Sequence, residues 1–109
     1  MNWIELTQSS QLDLIKEKSV ERPQVIFKHS SRCAVSGMAK GRLERGNDFP
    51  QADFYFLDLI KHRHISDKIA TDFSVYHESP QVLVIRNGEC IYDESHSGIN
   101  MNDIAEQAA

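Results

Sequence analysis

One segment, residues 24–45, constrains the fold more than any other part of the chain. It reads QVIFKHSSRCAVSGMAKGRLER. Its β-branched and aromatic start predicts a strand over residues 24–28. The polar turn HSSR follows, and the residues from Ala34 onward favour a helix. A strand that passes through so short a turn into a helix predicts an α/β unit, and Cys33 lies at the junction.

The rest of the chain continues this alternation of strands and helices. Apolar and aromatic runs predict further strands over residues 52–60, 81–85 and 89–93, and an edge strand at Trp3, Ile4 and Leu6. Apolar spacing and capping signals predict a helix capped by Ser9 or Ser10, one from Ala34 to about Arg45 that ends at Gly46 and Asn47, one from His62 to Phe73, and one that opens at Asn100. Asn87 and Gly88, between the last two strands, are a strong hairpin signal.

This order of elements predicts a single domain, residues 1–109, of the α/β class. The early strand–helix–strand connections favour parallel strands, and the late hairpin adds an antiparallel pair. We therefore predict a mixed central sheet of four to five strands, flanked by helices on both faces.

Composition and charge exclude several classes of function. The formal net charge is −4, with no block of like charge, which argues against nucleic acid as the main partner. No apolar run is long enough to span a bilayer. The first ten residues, MNWIELTQSS, lack the basic and apolar leader of a secretory signal. We therefore expect a cytoplasmic protein that does not act at a membrane.

Cys33 and Cys90 are the only cysteines, so a disulfide framework is not expected. Cys33 lies in a polar turn at a helix N-terminus, where unpaired N–H groups and the cationic neighbours Arg32, Lys28 and His29 favour a thiolate. Cys90 lies in a strand of the hairpin, where a packing role is the simpler interpretation. The sequence thus predicts one reactive thiol at Cys33.

The five histidines do not predict a metal site. His62 and His64 are two residues apart, which does not place them on one helix face. No set of cysteines and histidines has the spacing of a zinc site. His77 and Glu78 either line a groove near Cys33 or belong to a solvated loop, and the sequence leaves both interpretations open.

Three segments together resemble a known family. FKHSSRCAVS, YHESPQVLVIRNGE and SHSGI are similar to the bacilliredoxins of the YtxJ-like type, monothiol proteins of the thioredoxin fold that are linked to bacillithiol. The family's usual site is Thr-Cys-Pro-Ile-Ser. Here Cys33 and Ser36 match that site, whereas Arg32 and Ala34 replace the threonine and the proline. The departure concerns the redox potential more than the activity.

The resemblance implies roles for individual residues. Cys33 is expected to be the nucleophile, and Pro80 the cis-proline that faces it. Ser79 is expected to offer backbone hydrogen bonds to a bound thiol, and Arg32 to line the binding site. A serine in the place of a second cysteine forms no disulfide, but Ser36 is expected to donate a hydrogen bond to the Cys33 thiolate.

The resemblance also implies a small-thiol site near the last helix. Gly98 and Ile99 are expected to contact the carboxylates of the small thiol, and a helix N-terminus favours an anion even without the family. Bacillithiol or a similar low-molecular-weight thiol would then be the co-substrate. No metal and no tightly bound cofactor are expected.

These observations favour a monothiol thiol-disulfide oxidoreductase. It would remove a small thiol from mixed disulfides on cytosolic proteins and act as a monomer. Two alternatives remain open from the sequence. In the first, Cys33 is a passive thiol in a non-enzymatic sensor or adaptor. In the second, two copies of the chain share an iron–sulfur cluster, as monothiol glutaredoxins do.

Overall fold

The structure, a computed structural model, describes residues 1–46 and 49–109. Within that part of the chain it contains five strands: β1 (Trp3–Glu5), β2 (Gln24–His29), β3 (Asp53–Asp58), β4 (Gln81–Arg86) and β5 (Glu89–Ser95). It also contains four α-helices: α1 (Ser10–Lys18), α2 (Ala34–Glu44), α3 (Arg63–Phe73) and α4 (Met101–Ala108). Each predicted element is confirmed, with its bounds shifted by up to two residues. The predicted helix end at Asn47 lies outside the described residues.

The strands form one mixed sheet in the order β1-β3-β2-β4-β5. β1 and β2 both pair with β3 in parallel, and β4 pairs with β2 and β5 in antiparallel orientation. The predicted mixed sheet and its edge strand β1 are therefore confirmed. β2 is the central strand, and its last residue, His29, lies opposite Asp58 of β3.

Side chains that alternate along the strands separate two cores, one on each face of the sheet. Val25 and Phe27 of β2 pack in a cluster with residues of α2 and α4, whereas Ile26 packs in a cluster with residues of α1 and α3. The prediction of helices on both faces is confirmed. Full burial of a side chain such as Phe27 contributes roughly 1.5–3 kcal/mol, so this alternation fixes which face each β2 residue occupies.

The hairpin between β4 and β5 has the backbone that its sequence predicts. Asn87 and Gly88 have φ values of 53° and 77°, as a two-residue turn with positive φ at both central positions requires. The pairing shifts register between Val84 and Ile85, so that Ile85 lies opposite Cys90. The hairpin therefore places Cys90 at the turn end of β5.

Helix capping follows the sequence at α4 but not at α1. Asn100 Oδ1 accepts a hydrogen bond from the Asp103 N–H at 2.9 Å, as predicted. Ser9 precedes α1 but makes no side-chain capping bond. The prediction that a serine side chain caps α1 is therefore wrong. Gln11 Oε1 accepts from the N–H groups of Thr7 and Gln8 at this end of the helix. Within the described residues, no helix has the length and apolar character needed to cross a bilayer.

Candidate active site

Cys33 is the N-cap residue of α2, immediately beyond the carboxyl end of the central strand. Its backbone is extended (φ −114°, ψ 118°), its N–H donates to the Ser30 carbonyl at 3.1 Å, and its own carbonyl accepts from the Gly37 N–H at 3.2 Å. The side chain is partly exposed. This geometry presents the thiol at a helix N-terminus, where the helix dipole favours a negative charge.

Ser36 occupies the position that a second cysteine would take in a dithiol site. Its side chain is fully buried. Its Oγ accepts a hydrogen bond from the Ser30 N–H at 3.0 Å and lies 2.7 Å from His29 Nδ1. Ser36 therefore closes the turn between β2 and α2 as well as lying three residues after Cys33.

Whether His29 carries a proton on Nδ1 decides where the single hydroxyl hydrogen of Ser36 is directed. Burial lowers the pKa of His29 below the ordinary histidine value of 6.5, so the ring is neutral at neutral pH. When Nδ1 carries no proton, it accepts the Ser36 hydrogen, which is then not available to Cys33. When Nδ1 carries a proton, it donates to Ser36 Oγ and the hydroxyl hydrogen is free for another acceptor.

Lys28 does not point toward Cys33, contrary to the expectation from the sequence. It is fully buried on the same face of β2 as Ile26, opposite to α2. Its Nζ lies 2.8 Å from His77 Nδ1 and donates to Gln81 Oε1 at 3.0 Å. The sequence left two interpretations of His77 open, and the structure shows its ring bonded to this buried lysine.

The segment that leads into β4 contains the expected cis-proline. The Ser79–Pro80 peptide bond is cis, as the resemblance implied. The Pro80 carbonyl accepts from the His96 N–H at 3.1 Å. The Ser79 hydroxyl oxygen is buried and has no hydrogen-bond partner among the described residues. A binding role for Ser79 and Pro80 stays a prediction.

The turn before α4 is held to α2 by Arg42. Its guanidinium donates to the carbonyls of Ile99 and His96, both at 3.1 Å. Ile99 is fully buried, and its N–H donates to the His96 carbonyl at 3.4 Å. Ile99 therefore has its backbone groups bonded within the protein, and a ligand would have to open this turn to reach them.

Gly98 and Arg32, the other predicted binding residues, lie in different surroundings. A Cβ on Gly98 would come within 2.7 Å of Glu94 Cδ, so the Glu94 carboxylate packs directly on this glycine. That carboxylate disfavours a second negative charge at the same place. Arg32 precedes Cys33 in the chain and is exposed. Both assignments stay predictions.

Cys90 lies at the opposite end of the sheet from Cys33. Ile85 pairs with both Gln24 and Cys90, so Cys90 is level with the start of β2. The six residues of β2 span about 16 Å, and Cys33 lies beyond the far end. Cys90 also packs against the cluster on the face away from α2. An internal disulfide needs Cα atoms within ~7 Å, so this arrangement excludes one.

The environment of Cys90 suits a packing residue. Its Sγ donates to the Tyr92 carbonyl at 3.3 Å, and burial raises the pKa of the thiol to about 11. At neutral pH this thiol is protonated and weakly nucleophilic.

Comparison with solved structures identifies the fold. A solved protein with a thioredoxin fold, for which an oxidoreductase activity is suggested, is 30% identical to this chain. The match covers 97% of this chain and 93% of that protein, with a TM-score of 0.81. Thioredoxin from Malassezia sympodialis matches over 99% of this chain and 92% of its own, at 17% identity and a TM-score of 0.78. Thioredoxin from Fasciola hepatica matches over 95% and 94%, at 17% identity and a TM-score of 0.72.

The family described as Monothiol bacilliredoxin BrxC matches residues 4–104. The chain belongs to the monothiol bacilliredoxin family. Its fold is the thioredoxin-like fold, and its role is in thiol redox chemistry. The bacilliredoxin match includes Cys33 and Ser36, which the structure places at the N-terminus of α2.

Two features of this bacilliredoxin site were not predicted from the sequence, and only one of them has a signal there. The pairing of His29 with Ser36 joins positions seven residues apart across a turn, and no spacing rule predicts it. The burial of Lys28 has a signal, since Phe27 and Lys28 must face opposite sides of a strand that is covered on both faces.

Among residues 1–46 and 49–109, no three side chains of histidine, cysteine, aspartate or glutamate form a metal-binding group.

Proposed function

We propose that the protein removes a low-molecular-weight thiol, bacillithiol or a close relative, from mixed disulfides on other proteins. The observation that carries the proposal is the isolation of Cys33. The thiol is partly exposed at a helix N-terminus, a serine stands at the resolving position, and Cys90 lies at the far end of the sheet. A mixed disulfide on Cys33 therefore has to be resolved by a thiol from outside the chain.

The first step transfers the small thiol to the enzyme. The Cys33 thiolate attacks the sulfur of the small thiol in a protein mixed disulfide. The Cys33–small-thiol disulfide forms, the original disulfide breaks, and the target protein leaves as a thiolate that takes a proton from water. One disulfide is exchanged for another, so no external oxidant or reductant takes part in this step.

The second step regenerates Cys33. A second molecule of the small thiol, as its thiolate, attacks the small-thiol sulfur of the adduct. The symmetric small-thiol disulfide forms, and Cys33 leaves as a thiolate. Over the cycle, one target cysteine is reduced and one free small thiol is oxidised, and the two small-thiol groups leave as one symmetric disulfide.

We propose specific partners for this cycle. The substrates are thiol-modified proteins of the cytoplasm, the co-substrate is the small thiol, and the enzyme acts as a monomer without a metal or a tightly bound cofactor. The exposed Arg32 is the proposed contact for anionic groups at the mouth of the site, together with the backbone of Ser79 beside Pro80.

The test is multiple turnover with a defined substrate. A model protein with one cysteine is converted to its bacillithiol mixed disulfide and incubated with free bacillithiol and a trace of enzyme. The proposal expects many equivalents of reduced model protein per enzyme, and loss of this activity in Cys33→Ser. Release of no more than one equivalent would instead support the passive-thiol alternative.

A further inference from the structure

Lys28 is a fully buried cation that the thiol chemistry does not use. Its Nζ contacts two neutral groups, His77 Nδ1 at 2.8 Å and Gln81 Oε1 at 3.0 Å. Burial lowers the pKa of His77, so its ring is neutral at neutral pH and Nδ1 is available as an acceptor. Burying an ammonium group is unfavourable, and a hydrocarbon of the same volume would avoid that cost. The lysine therefore supplies something that a methionine cannot, namely directed hydrogen bonds to two points.

Those two points belong to one short loop. His77 and Gln81 flank the Ser79–Pro80 bond, and Gln81 Nε2 donates to the Tyr76 carbonyl at 3.0 Å. The loop formed by residues 76–81 is thus closed at its base by Gln81 and joined to β2 by Lys28. Ser66 of α3 adds a contact to His77 Nδ1 at 3.2 Å.

The strand that bears Lys28 is also the strand that leads to the reactive cysteine. Lys28 is the fifth residue before Cys33, and it lies opposite Gln81 in the register of β2 and β4. Lys28 therefore joins the strand that leads to Cys33 to the loop that contains the cis-proline. It does so on the face of the sheet opposite to α2.

We propose that Lys28 is a positioning residue, which holds the loop of residues 76–81 at a fixed place relative to Cys33 so that a mixed disulfide can bind between them. Its action on catalysis rests on the proposed function, whereas its action on the loop does not. Loss of the lysine is expected to weaken substrate binding and to leave the intrinsic reactivity of the thiol unchanged.

The hold of Lys28 on the loop of residues 76–81 is expected to depend on pH, because charged groups surround the lysine. Burial lowers the pKa of Lys28 to about 8, while the carboxylates of Asp67 on α3 and Glu78 in the loop favour the charged form. The pKa of His77 is lowered by burial and then by the charges of Lys28 and Arg63. As pH rises through 8, Lys28 loses its charge and its bonds to the loop become weaker neutral hydrogen bonds.

The experiment compares Lys28→Met with the matched control Lys18→Met, which removes an exposed lysine at the end of α1. Four quantities are measured: amide hydrogen exchange in residues 76–81, the rate of Cys33 alkylation by iodoacetamide, and the kcat and the KM for the bacillithiolated model protein. Lys28→Met is expected to speed exchange in the loop and to raise KM about fivefold to tenfold. Alkylation and kcat should stay close to those of the control.

The pH profile gives a readout that general destabilisation would not produce. KM of the wild type should rise between pH 7 and pH 9, and KM of Lys28→Met should show no such rise. Equal KM values and equal loop exchange in folded Lys28→Met and Lys18→Met would overturn the proposal.

Two further outcomes keep the test decisive. If Lys28→Met does not fold, His77→Phe breaks the same bond from the loop, and unchanged loop exchange in that variant would overturn the proposal. If the wild type shows no turnover, the proposed function fails, and loop exchange alone decides the role of Lys28.

Discussion

The Ser36 hydroxyl oxygen lies 2.7 Å from His29 Nδ1 and accepts the Ser30 N–H at 3.0 Å, so the serine that replaces a resolving cysteine is a structural member of the active-site turn. Its oxygen accepts from a buried backbone N–H and lies within hydrogen-bond distance of an imidazole nitrogen. A cysteine at this position would form much weaker hydrogen bonds to both groups. The absence of a second thiol thus has a structural consequence besides its chemical one.

Ser36→Ala is expected to lower stability more than reactivity at neutral pH. The substitution leaves the buried Ser30 N–H without its acceptor, which costs about 1–3 kcal/mol in the free energy of unfolding. When the neutral His29 ring carries its proton on Nε2, Nδ1 takes the Ser36 hydrogen, and the rate of Cys33 alkylation at pH 7.5 should then change little. Urea unfolding and alkylation kinetics measure the two effects, and Ser31→Ala, an exposed serine of the same turn, is the control.

The same relationship predicts that the effect of Ser36 grows in acid. As pH falls through the lowered pKa of His29, the ring gains a proton and releases the Ser36 hydrogen toward the thiol. The ratio of alkylation rates between wild type and Ser36→Ala should therefore increase as the pH falls below 6. A constant ratio across the pH range would show that His29 does not control the serine.

Cys90 is expected to be dispensable and slow to react. Burial raises the pKa of its thiol to about 11, so near pH 7.5 it is almost entirely protonated. Iodoacetamide should modify Cys33 first, and Cys90 only as the pH approaches 11, as followed by peptide mass spectrometry. Cys90→Ser should keep wild-type turnover. Loss of turnover in that variant would contradict the assignment of Cys90 as a packing residue.

Lys28 predicts a rise in stability with pH in the alkaline range. Its pKa is about 8 in the folded protein, against 10.5 for the ordinary group, so the unfolded chain binds more protons between these values. Stability gained by deprotonation should reach on the order of 2 kcal/mol by pH 9.5 relative to pH 7. Urea unfolding of wild type and Lys28→Met at both pH values isolates this contribution. An equal pH dependence in the two proteins would contradict it.

Arg42 tests the prediction that the small thiol binds beside Gly98 and Ile99, because Arg42 holds that turn to α2. Arg42→Met removes two hydrogen bonds to the carbonyls of Ile99 and His96. We expect KM for the free small thiol to rise about threefold to tenfold, with little change in Cys33 alkylation. Arg45→Met, at the exposed end of the same helix, serves as the control. Identical KM values in the two variants would place the small thiol elsewhere.

Much of the fold could be predicted from local patterns in the sequence. The strand and turn around residues 24–33 and the Asn87–Gly88 hairpin are determined by side chains that act over a few residues, so their structure was predicted correctly. The parallel pairing of Trp3 with Phe54 joins distant parts of the chain, so no local pattern predicts it. Periodicity alone does not give strand order.

The candidate site likewise has features that local sequence predicts and features that it does not. The position of Cys33 at a helix N-terminus follows from local sequence, whereas the cis bond before Pro80 was implied only by the resemblance. The prediction that Lys28 lies near the Cys33 thiol was wrong. It relied on the short distance in sequence and not on the alternation of side chains between the two faces of β2. The bonds of Gln11 to the backbone of Thr7 and Gln8, just before the helix, were missed because Ser9 and Ser10 fit the usual capping pattern.

The measurement that tests the account most directly is the intact mass of the protein through one cycle. The wild type is mixed with a bacillithiolated model protein, its mass is recorded, and free bacillithiol is then added. The account predicts one small-thiol adduct, located on Cys33 and also formed by Cys90→Ser, which disappears when free thiol is added. Absence of the adduct, or its replacement by a disulfide between Cys33 and Cys90, would contradict the claim that Cys33 acts as a lone thiol.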